Sequence, residues 1–153
     1  MSEEKLCFKV ANKMMEDTKF EHELGITLVD VEEGFAKMQM SVTEKLLNGH
    51  GTCQGGAIFS FADATFAIAC NSRNIATVAG ACDISFVKPA FQGDTLIATA
   101  TEKYVKGRNG IYDVVVVNQK FESVAFFTGK SVAIKGKIIK EEERWEKHLL
   151  STI

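Results

Sequence analysis

From Gly55 to Cys70 the chain reads Gly-Gly-Ala-Ile-Phe-Ser-Phe-Ala-Asp-Ala-Thr-Phe-Ala-Ile-Ala-Cys, sixteen residues with a single charged side chain, Asp63. A helix that is apolar almost all round has no stripe to offer to water, so it belongs at the centre of a structure. The stretch is also shorter than the roughly 18 uninterrupted apolar residues that a membrane-spanning helix needs. The rest of the chain is therefore expected to wrap around it.

The flanking segments supply the wrapping. Leu6, Val10 and Met14, with Cys7, Ala11 and Met15 beside them, recur at helical spacing among Lys and Glu and predict a short amphipathic helix. From Gly25 the period changes. Ile26 and Leu28, then Val29 and Val31, are followed after Glu33-Gly34 by Ala36, Met38, Met40 and Val42, alternating with Lys37, Gln39 and Ser41. This predicts two strands joined by a tight turn. Beyond the central helix, Asn71-Ser72-Arg73-Asn74 is a break, and four strands are predicted at about 75–87, 95–105, 111–121 and 124–138. A charged tail, 140–150, is predicted to be helical. The order is helix, two strands, buried helix, four strands. One long helix offered to one antiparallel sheet predicts an α+β domain with the sheet curved around the helix.

The 153 residues, 46% hydrophobic and 25% charged, suit one core and are too few for two, so a single domain is expected over 1–153. A net charge of -2 gives no footprint for nucleic acid or an anionic membrane. The opening Met-Ser-Glu-Glu-Lys lacks the basic-then-apolar pattern of a signal peptide. The four cysteines, Cys7, Cys53, Cys70 and Cys82, contain no Cys-x-x-Cys pair and are expected as reduced thiols. A soluble, cytoplasmic protein is the expectation.

Asp63 is the position that does not fit its surroundings. A carboxylate among Phe59, Phe61, Ala62, Phe66 and Ala67 is costly to bury. Either it lies on an exposed edge or bonds to a neighbouring strand, or the helix delivers it to a cleft wall as a catalytic acid. Gly55 and Gly56 add a second feature, because backbone amides at a helix start lack helical partners and here carry no covering side chain. They either permit a tight turn and close packing, or receive a developing oxyanion. The eight residues from Gly55 to Asp63 correspond to roughly 12 Å of helix rise, too far for both to act on one carbon atom. Two copies with antiparallel central helices would place Gly55 of one beside Asp63 of the other, giving two equal sites. A homo-oligomer, dimer or dimer of dimers, is expected.

These residues carry a resemblance. Leu47-Asn48-Gly49-His50-Gly51-Thr52-Cys53-Gln54-Gly55-Gly56, then Phe61-Ala62-Asp63-Ala64-Thr65-Phe66-Ala67 and Ala69-Cys70-Asn71-Ser72, resemble hotdog-fold acyl-CoA thioesterases of the PaaI type, named for phenylacetic acid degradation. Ile84-Ser85-Phe86-Val87-Lys88-Pro89-Ala90, Gly93-Asp94 and Gly110-Ile111-Tyr112-Asp113 fit the same pattern, so the resemblance spans roughly 25–135. It implies a sheet wrapped around one long helix and the hydrolysis of aryl or short-to-medium acyl-CoA thioesters to free acid and coenzyme A. It also implies that Asp63 acts on the thioester carbonyl as nucleophile or base, that the Gly55 amide polarises the carbonyl oxygen, and that Asn48 holds the attacking water or the substrate. Thr65 matches a position that is often a small polar residue lining the site. One position departs from the pattern: many members have His where this chain has Gln54, though Gln keeps a hydrogen-bond donor.

An activated thioester can be cleaved by one carboxylate and a preorganised donor, so no metal and no cofactor beyond the coenzyme A of the substrate is expected. Lys103, Lys106 and Arg108 form a basic turn that could meet the coenzyme A phosphates together with Lys88; as single residues, such lysines are more often a solvated surface. His50-x-x-Cys53 has neither a second half-site for zinc nor an acid to orient a catalytic pair. His22 and His148 are expected in solvent, and Trp145 as a packing anchor. Phe59, Phe61, Phe66, Phe86, Phe91, Phe126 and Phe127 are expected mostly in the core, with a few lining an acyl pocket. Two rival activities fit the residues less well. A hotdog regulator that binds acyl-CoA without turnover usually needs an attached DNA-binding segment, and hydratase or dehydratase chemistry normally needs a catalytic His, which the Asp63 helix lacks.

Overall fold

The computed structural model describes residues 4–140 and 151. The predicted tail helix, Trp145 and His148 lie outside the described residues. The elements are α1 (Leu6–Asp17), α2 (Phe20–Glu23), β1 (Thr27–Glu32), β2 (Phe35–Ser41), a 3-10 turn (Glu44–Leu46), α3 (Gly55–Asn71), β3 (Thr77–Phe86), β4 (Thr95–Lys106), β5 (Asn109–Val117) and β6 (Ser123–Ala133). The six strands form one sheet in the order β1-β2-β4-β5-β6-β3, and every neighbouring pair is antiparallel. α3 packs across the face of this sheet. The α+β hotdog arrangement is thus the fold.

The predicted strands are present; three of the four after α3 are shorter than predicted, and β4 extends one residue further, to Lys106. β5 stops at Val117 because the Asn118 side chain captures the amides of Lys120 and Glu122 at 2.9 and 3.1 Å, building a turn in which Phe121 takes φ 62°. An Asn that bonds its own backbone competes with the ladder. The phase slip between Leu28 and Val29 is a β-bulge: Leu28 pairs with Met38 and Asp30 with Lys37, leaving Val29 opposite nothing. The break at Lys106 to Gly110 tightens to a hairpin in which Lys106 pairs with Asn109 and Gly107 takes φ 60°. The single turn α2 was not predicted.

Alternation sets the core. Ala36, Met38 and Met40 of β2, Leu96, Ala98 and Ala100 of β4, and Tyr112, Val114 and Val116 of β5 all point to the same face, and all are buried. α3 meets them with Ile58, Phe61, Ala62, Thr65, Phe66 and Ala69. Phe66 lies edge-on to Tyr112 at 5.5 Å and tilted against Phe127 at 5.8 Å. α1 adds Cys7, Val10 and Ala11 to the core, while Leu6 stays 42% exposed.

One expectation needs correction. α3 is not enclosed on all sides. Gly56, Phe59, Ser60, Asp63, Ala67 and Cys70, spaced by three and four residues, form a stripe that the rest of the chain leaves exposed or half-covered. The neighbouring strand β3 has β6 on one side and, among the described residues, no strand on the other. Its Val78 and Phe86 are 46% and 52% exposed.

Candidate active site

The loop leading to α3 is built by Asn48. Its side-chain carbonyl accepts the amides of His50 and Thr52 at 2.9 and 3.1 Å, and its Nδ2 donates to the Thr52 hydroxyl at 2.9 Å. The Asn48 amide donates to the Thr52 carbonyl at 2.8 Å, closing the same loop. Asn48 therefore folds the loop first; of its polar groups, one Nδ2 hydrogen is left for a ligand. The Gln54 amide donates to the Leu46 carbonyl at 2.7 Å, and this bond fixes where the helix begins.

Gln54 stands at the N-cap of α3, exposed, and makes no side-chain capping bond. Its carbonyl accepts from the amides of Ala57 and Ile58 at 3.0 and 3.2 Å. The amides of Gly55 and Gly56 precede those donors and, among the described residues, reach no acceptor. Four amides at any helix start lack intrahelical partners, and the aligned peptide dipoles add positive potential there. The start opens into a cleft of about 360 Å³ lined by Thr52, Cys53, Gly55, Ile58, Phe86, Val87, Lys88 and Pro89. Phe86 closes on Gly55 so tightly that a Cβ there would stand 3.2 Å from its ring. A larger surface hollow of about 490 Å³, lined by Lys5, Leu6, Cys7, Glu32 and Glu33, contains none of the candidate residues.

Asp63 occupies the middle of the open stripe of α3. It is half-buried, and among the described residues no hydrogen bond or ion pair engages its carboxylate. Burial holds the carboxyl above the usual Asp range, and the nearby Glu21 raises it further. Cys70 of α3 and Cys82 of β3 lie within its field; burial pushes the Cys70 thiol up to about 12, and it raises Cys82 as well. Asp63 thus stands near two thiols and, among the described residues, no cation balances it. Among the described residues, no neighbouring strand satisfies this carboxylate.

Three other candidates fall elsewhere. Thr65 does not line the site in this chain: it is fully buried and its hydroxyl donates to the Phe61 carbonyl at 2.9 Å. Residues two apart on a helix diverge by about 200°, so Thr65 faces the sheet because Asp63 faces away from it. Lys106 and Arg108 do not share a cleft with Gly55. Their turn pairs through Asn109 to Val132 and on to Val78, whereas Phe86, which touches Gly55, lies eight residues along β3. At about 3.3 Å per residue, that is roughly 26 Å. Arg108 instead donates through Nε to the Ala133 carbonyl at 3.0 Å. Lys88 lines the Gly55 cleft and pairs with Glu122 at 2.9 Å. Ile58 and Val87, which line the cleft, were not singled out from the sequence; each becomes relevant through contacts between distant segments.

Residues 50–125 match the family model described as Thioesterase superfamily. The acyl-coenzyme A thioesterase PaaI of Escherichia coli K12 is 47% identical over 131 residues, covering 86% of this chain and 94% of that protein. The solved structure of the E. coli PaaI protein superposes with a TM-score of 0.85 at 46% identity, covering 86% of this chain and 95% of that one. A Streptococcus mutans protein, solved with acetyl CoA bound, gives a TM-score of 0.70 at 28% identity, covering 73% of this chain and 90% of that one. An unpaired carboxylate on the central helix, free glycine amides at its start, and close likeness along almost the whole of a curated enzyme converge: the chain belongs to the thioesterase superfamily, as an acyl-CoA thioesterase of the PaaI type.

Proposed function

We propose that the protein hydrolyses aryl or short-to-medium acyl-CoA thioesters, phenylacetyl-CoA derivatives among them, at sites shared between two copies of the chain. The observation that carries this reading is the separation, on one helix, of two incomplete halves. The free amides of Gly55 open into a cleft at the start of α3, and the unpaired Asp63 lies about 12 Å along it. The open stripe and the unpaired edge of β3 support a second copy, since a ten-residue strand edge left unpaired invites pairing. Antiparallel α3 helices then bring Gly55 of one copy beside Asp63 of the other, and the turn of Lys106 and Arg108 toward the cleft that it cannot reach within its own chain. Two such dimers associate further into a homotetramer.

In this site the Gly55 amide, and Gly56 beside it, donate to the thioester oxygen, and that bond strengthens as the oxygen gains charge. Asp63 takes a proton from water while the water oxygen bonds to the carbonyl carbon, or its own carboxylate oxygen bonds to that carbon, in which case loss of the thiolate leaves an acyl-Asp63 anhydride that water then cleaves to the free acid and the restored carboxylate. Collapse of the tetrahedral centre breaks the carbon–sulfur bond and releases coenzyme A as its thiolate. Asn48 contributes its remaining Nδ2 hydrogen to water or substrate, Gln54 donates near the carbonyl, and Lys88, Lys106 and Arg108 meet the phosphates. No metal or other cofactor enters the scheme. Ile58, Phe86 and Val87 give the cleft an apolar wall suited to an acyl group. The free state of the four cysteines supports a cytoplasmic setting.

The test is release of free thiol from phenylacetyl-CoA and a graded acyl-CoA panel, beside Asp63→Asn. Turnover of aryl or short-to-medium substrates, abolished in the variant, is expected. Turnover confined to long-chain thioesters, or full activity in Asp63→Asn, overturns the assignment. Sedimentation is expected to give a dimer or tetramer; a fully active monomer would contradict the shared site.

A further inference from the structure

One large apolar side chain is held out into water on a turn built to keep it there. Phe121, between β5 and β6, is 86% exposed, more than any other large hydrophobic side chain among the described residues. It also takes φ 62°, a region where glycine or asparagine fits easily and an aromatic residue is an outlier. A turn that only reversed the chain would be served better by glycine. The strain is held by its neighbours. The Phe121 amide donates to the Asn118 carbonyl at 3.0 Å, the Asn118 amide to the Glu122 carbonyl at 3.0 Å, and Asn118 Nδ2 to Glu122 Oε1 at 3.2 Å. Gln119 fastens the other flank: its Nε2 donates to Asp94 Oδ1 at 2.9 Å, and its Oε1 accepts the Thr95 amide at 3.1 Å. A strained, solvated ring that its surroundings over-determine is an observation that points to a function.

The turn also borders the cleft at the start of α3. Val87 and Lys88 line that cleft, and their amides donate, at 2.9 and 3.3 Å, to the carbonyl of Val124, which follows closely on Phe121. The Lys88 ammonium reaches Glu122, the residue after Phe121, at 2.9 Å. The ring is thus flanked by two cations, Lys88 and the exposed Lys120, on one continuous lip. An aromatic face beside cations suits a nucleobase that carries phosphates, because stacking needs only a π-face and phosphates need nearby positive charge. We propose that Phe121 is the stacking platform for the adenine of a coenzyme A thioester whose acyl end lies in the cleft, with Lys120 and Lys88 meeting its phosphates. The inference rests on the reading of that cleft as the acyl-CoA site. In the ligand-free chain Glu122 holds Lys88 at the lip, and an incoming phosphate takes its place as acceptor. Both partners of this pair are part-exposed, so the exchange costs little. The competing occupant is a second copy of the chain seated on the ring. The flanking lysines argue against it, since the cores of protein interfaces are depleted in Lys.

The experiment compares thiol release from an acyl-CoA and from the same acyl group on pantetheine, which lacks the nucleotide, for wild type, Phe121→Gly, Phe121→Tyr and the exposed Phe20→Ala on α2. Titration calorimetry with free coenzyme A and sedimentation accompany it. In Phe121→Gly, KM for acyl-CoA rises by roughly 5- to 100-fold, while kcat and the pantetheine KM stay at wild-type values. Tm holds or rises, because glycine suits φ 62°, so the rise in KM does not report a damaged fold. Phe121→Tyr keeps the wild-type KM, and Phe20→Ala changes nothing. An unchanged KM in Phe121→Gly, an equal rise with the pantetheine thioester, or a smaller assembly with coenzyme A affinity intact overturns the proposal. Should the wild type cleave neither substrate, calorimetry still decides: coenzyme A affinity lost in Phe121→Gly upholds the nucleotide platform while the hydrolytic reading fails.

Discussion

Gly129 sets how closely the catalytic helix approaches the sheet, and Gly129→Ala tests that role. A Cβ at this position would stand 2.7, 2.8 and 2.8 Å from Cε2, Cδ2 and Cζ of Phe66. Favourable carbon contacts lie near 3.5–4.0 Å, so the ring must retreat by about 1 Å. Phe66 is 1% exposed, and the rings of Tyr112 and Phe127 are packed against it. Its retreat therefore displaces either two other rings or α3. Overpacking of this kind costs about 1–3 kcal/mol. The relief of glycine's backbone entropy in a strand returns roughly 0.5–1 kcal/mol. A net loss of about 0.5–2 kcal/mol is expected, which for a chain of this size lowers Tm by about 1–8 °C. Urea unfolding of wild type, Gly129→Ala, Phe66→Leu and the double variant measures it. The alanine is expected to cost at least about 1 kcal/mol less in the Phe66→Leu background, because the smaller side chain removes the clash. Asp63 lies three residues before Phe66 on the same helix, so kcat/KM falls in the single variant and recovers in part in the double. Equal costs in both backgrounds, or a loss below about 0.5 kcal/mol, would refute the reasoning.

Asp63→Asn is expected to lower kcat/KM by about 10²–10⁴-fold, the usual contribution of a positioned base, measured by thiol release. The same variant is expected to be more stable than wild type at neutral pH. Burial raises the folded carboxyl above its unfolded value, so carrying it charged is unfavourable above the folded pKa, and this penalty is relieved as pH falls through it. Thermal melts at pH 7 and pH 3.5 check whether the advantage closes at the acid end. Glu102 behaves in the opposite sense. The Arg73 hydrogen bonds at 2.6 and 3.0 Å, then the Tyr112 hydroxyl, hold its carboxyl below the usual Glu range. Glu102→Gln is expected to cost about 1.5–3 kcal/mol at pH 7, a difference that shrinks as pH drops below about 4.5 through the lowered folded value, followed by urea titration against pH. Finally, Cys53 and Cys70, whose thiols burial raises to about 11 and about 12, are expected to resist iodoacetamide at pH 8 in the native protein and to react once it is unfolded; mass spectrometry of timed samples reads this directly.

Patterns that depend on neighbours along the chain were legible in the sequence. Sixteen residues with one charge announced α3 and alternation announced the strands, whereas the bulge at Val29 was shown only by the pairing of β1 with β2. Asp63 stood out for the same local reason, as the single charge on an apolar helix, and Gly55 because a helix start exposes its amides whatever surrounds it. Other features depended on which segments meet. Thr65 turned inward because the sheet lies on that side of α3, and Asn48 became the fastening of its loop because Thr52 folds back onto it. Lys106 and Arg108 were separated from Gly55 by the strand register, which no short window of residues encodes. Phe121 gained meaning only when its turn met Lys88 at the cleft. Periodicity is a property of consecutive residues and survives in a string of letters. The uncovered face of a helix, and the groups that border it, are set by contacts between residues distant in sequence, and these exist only once the chain has folded.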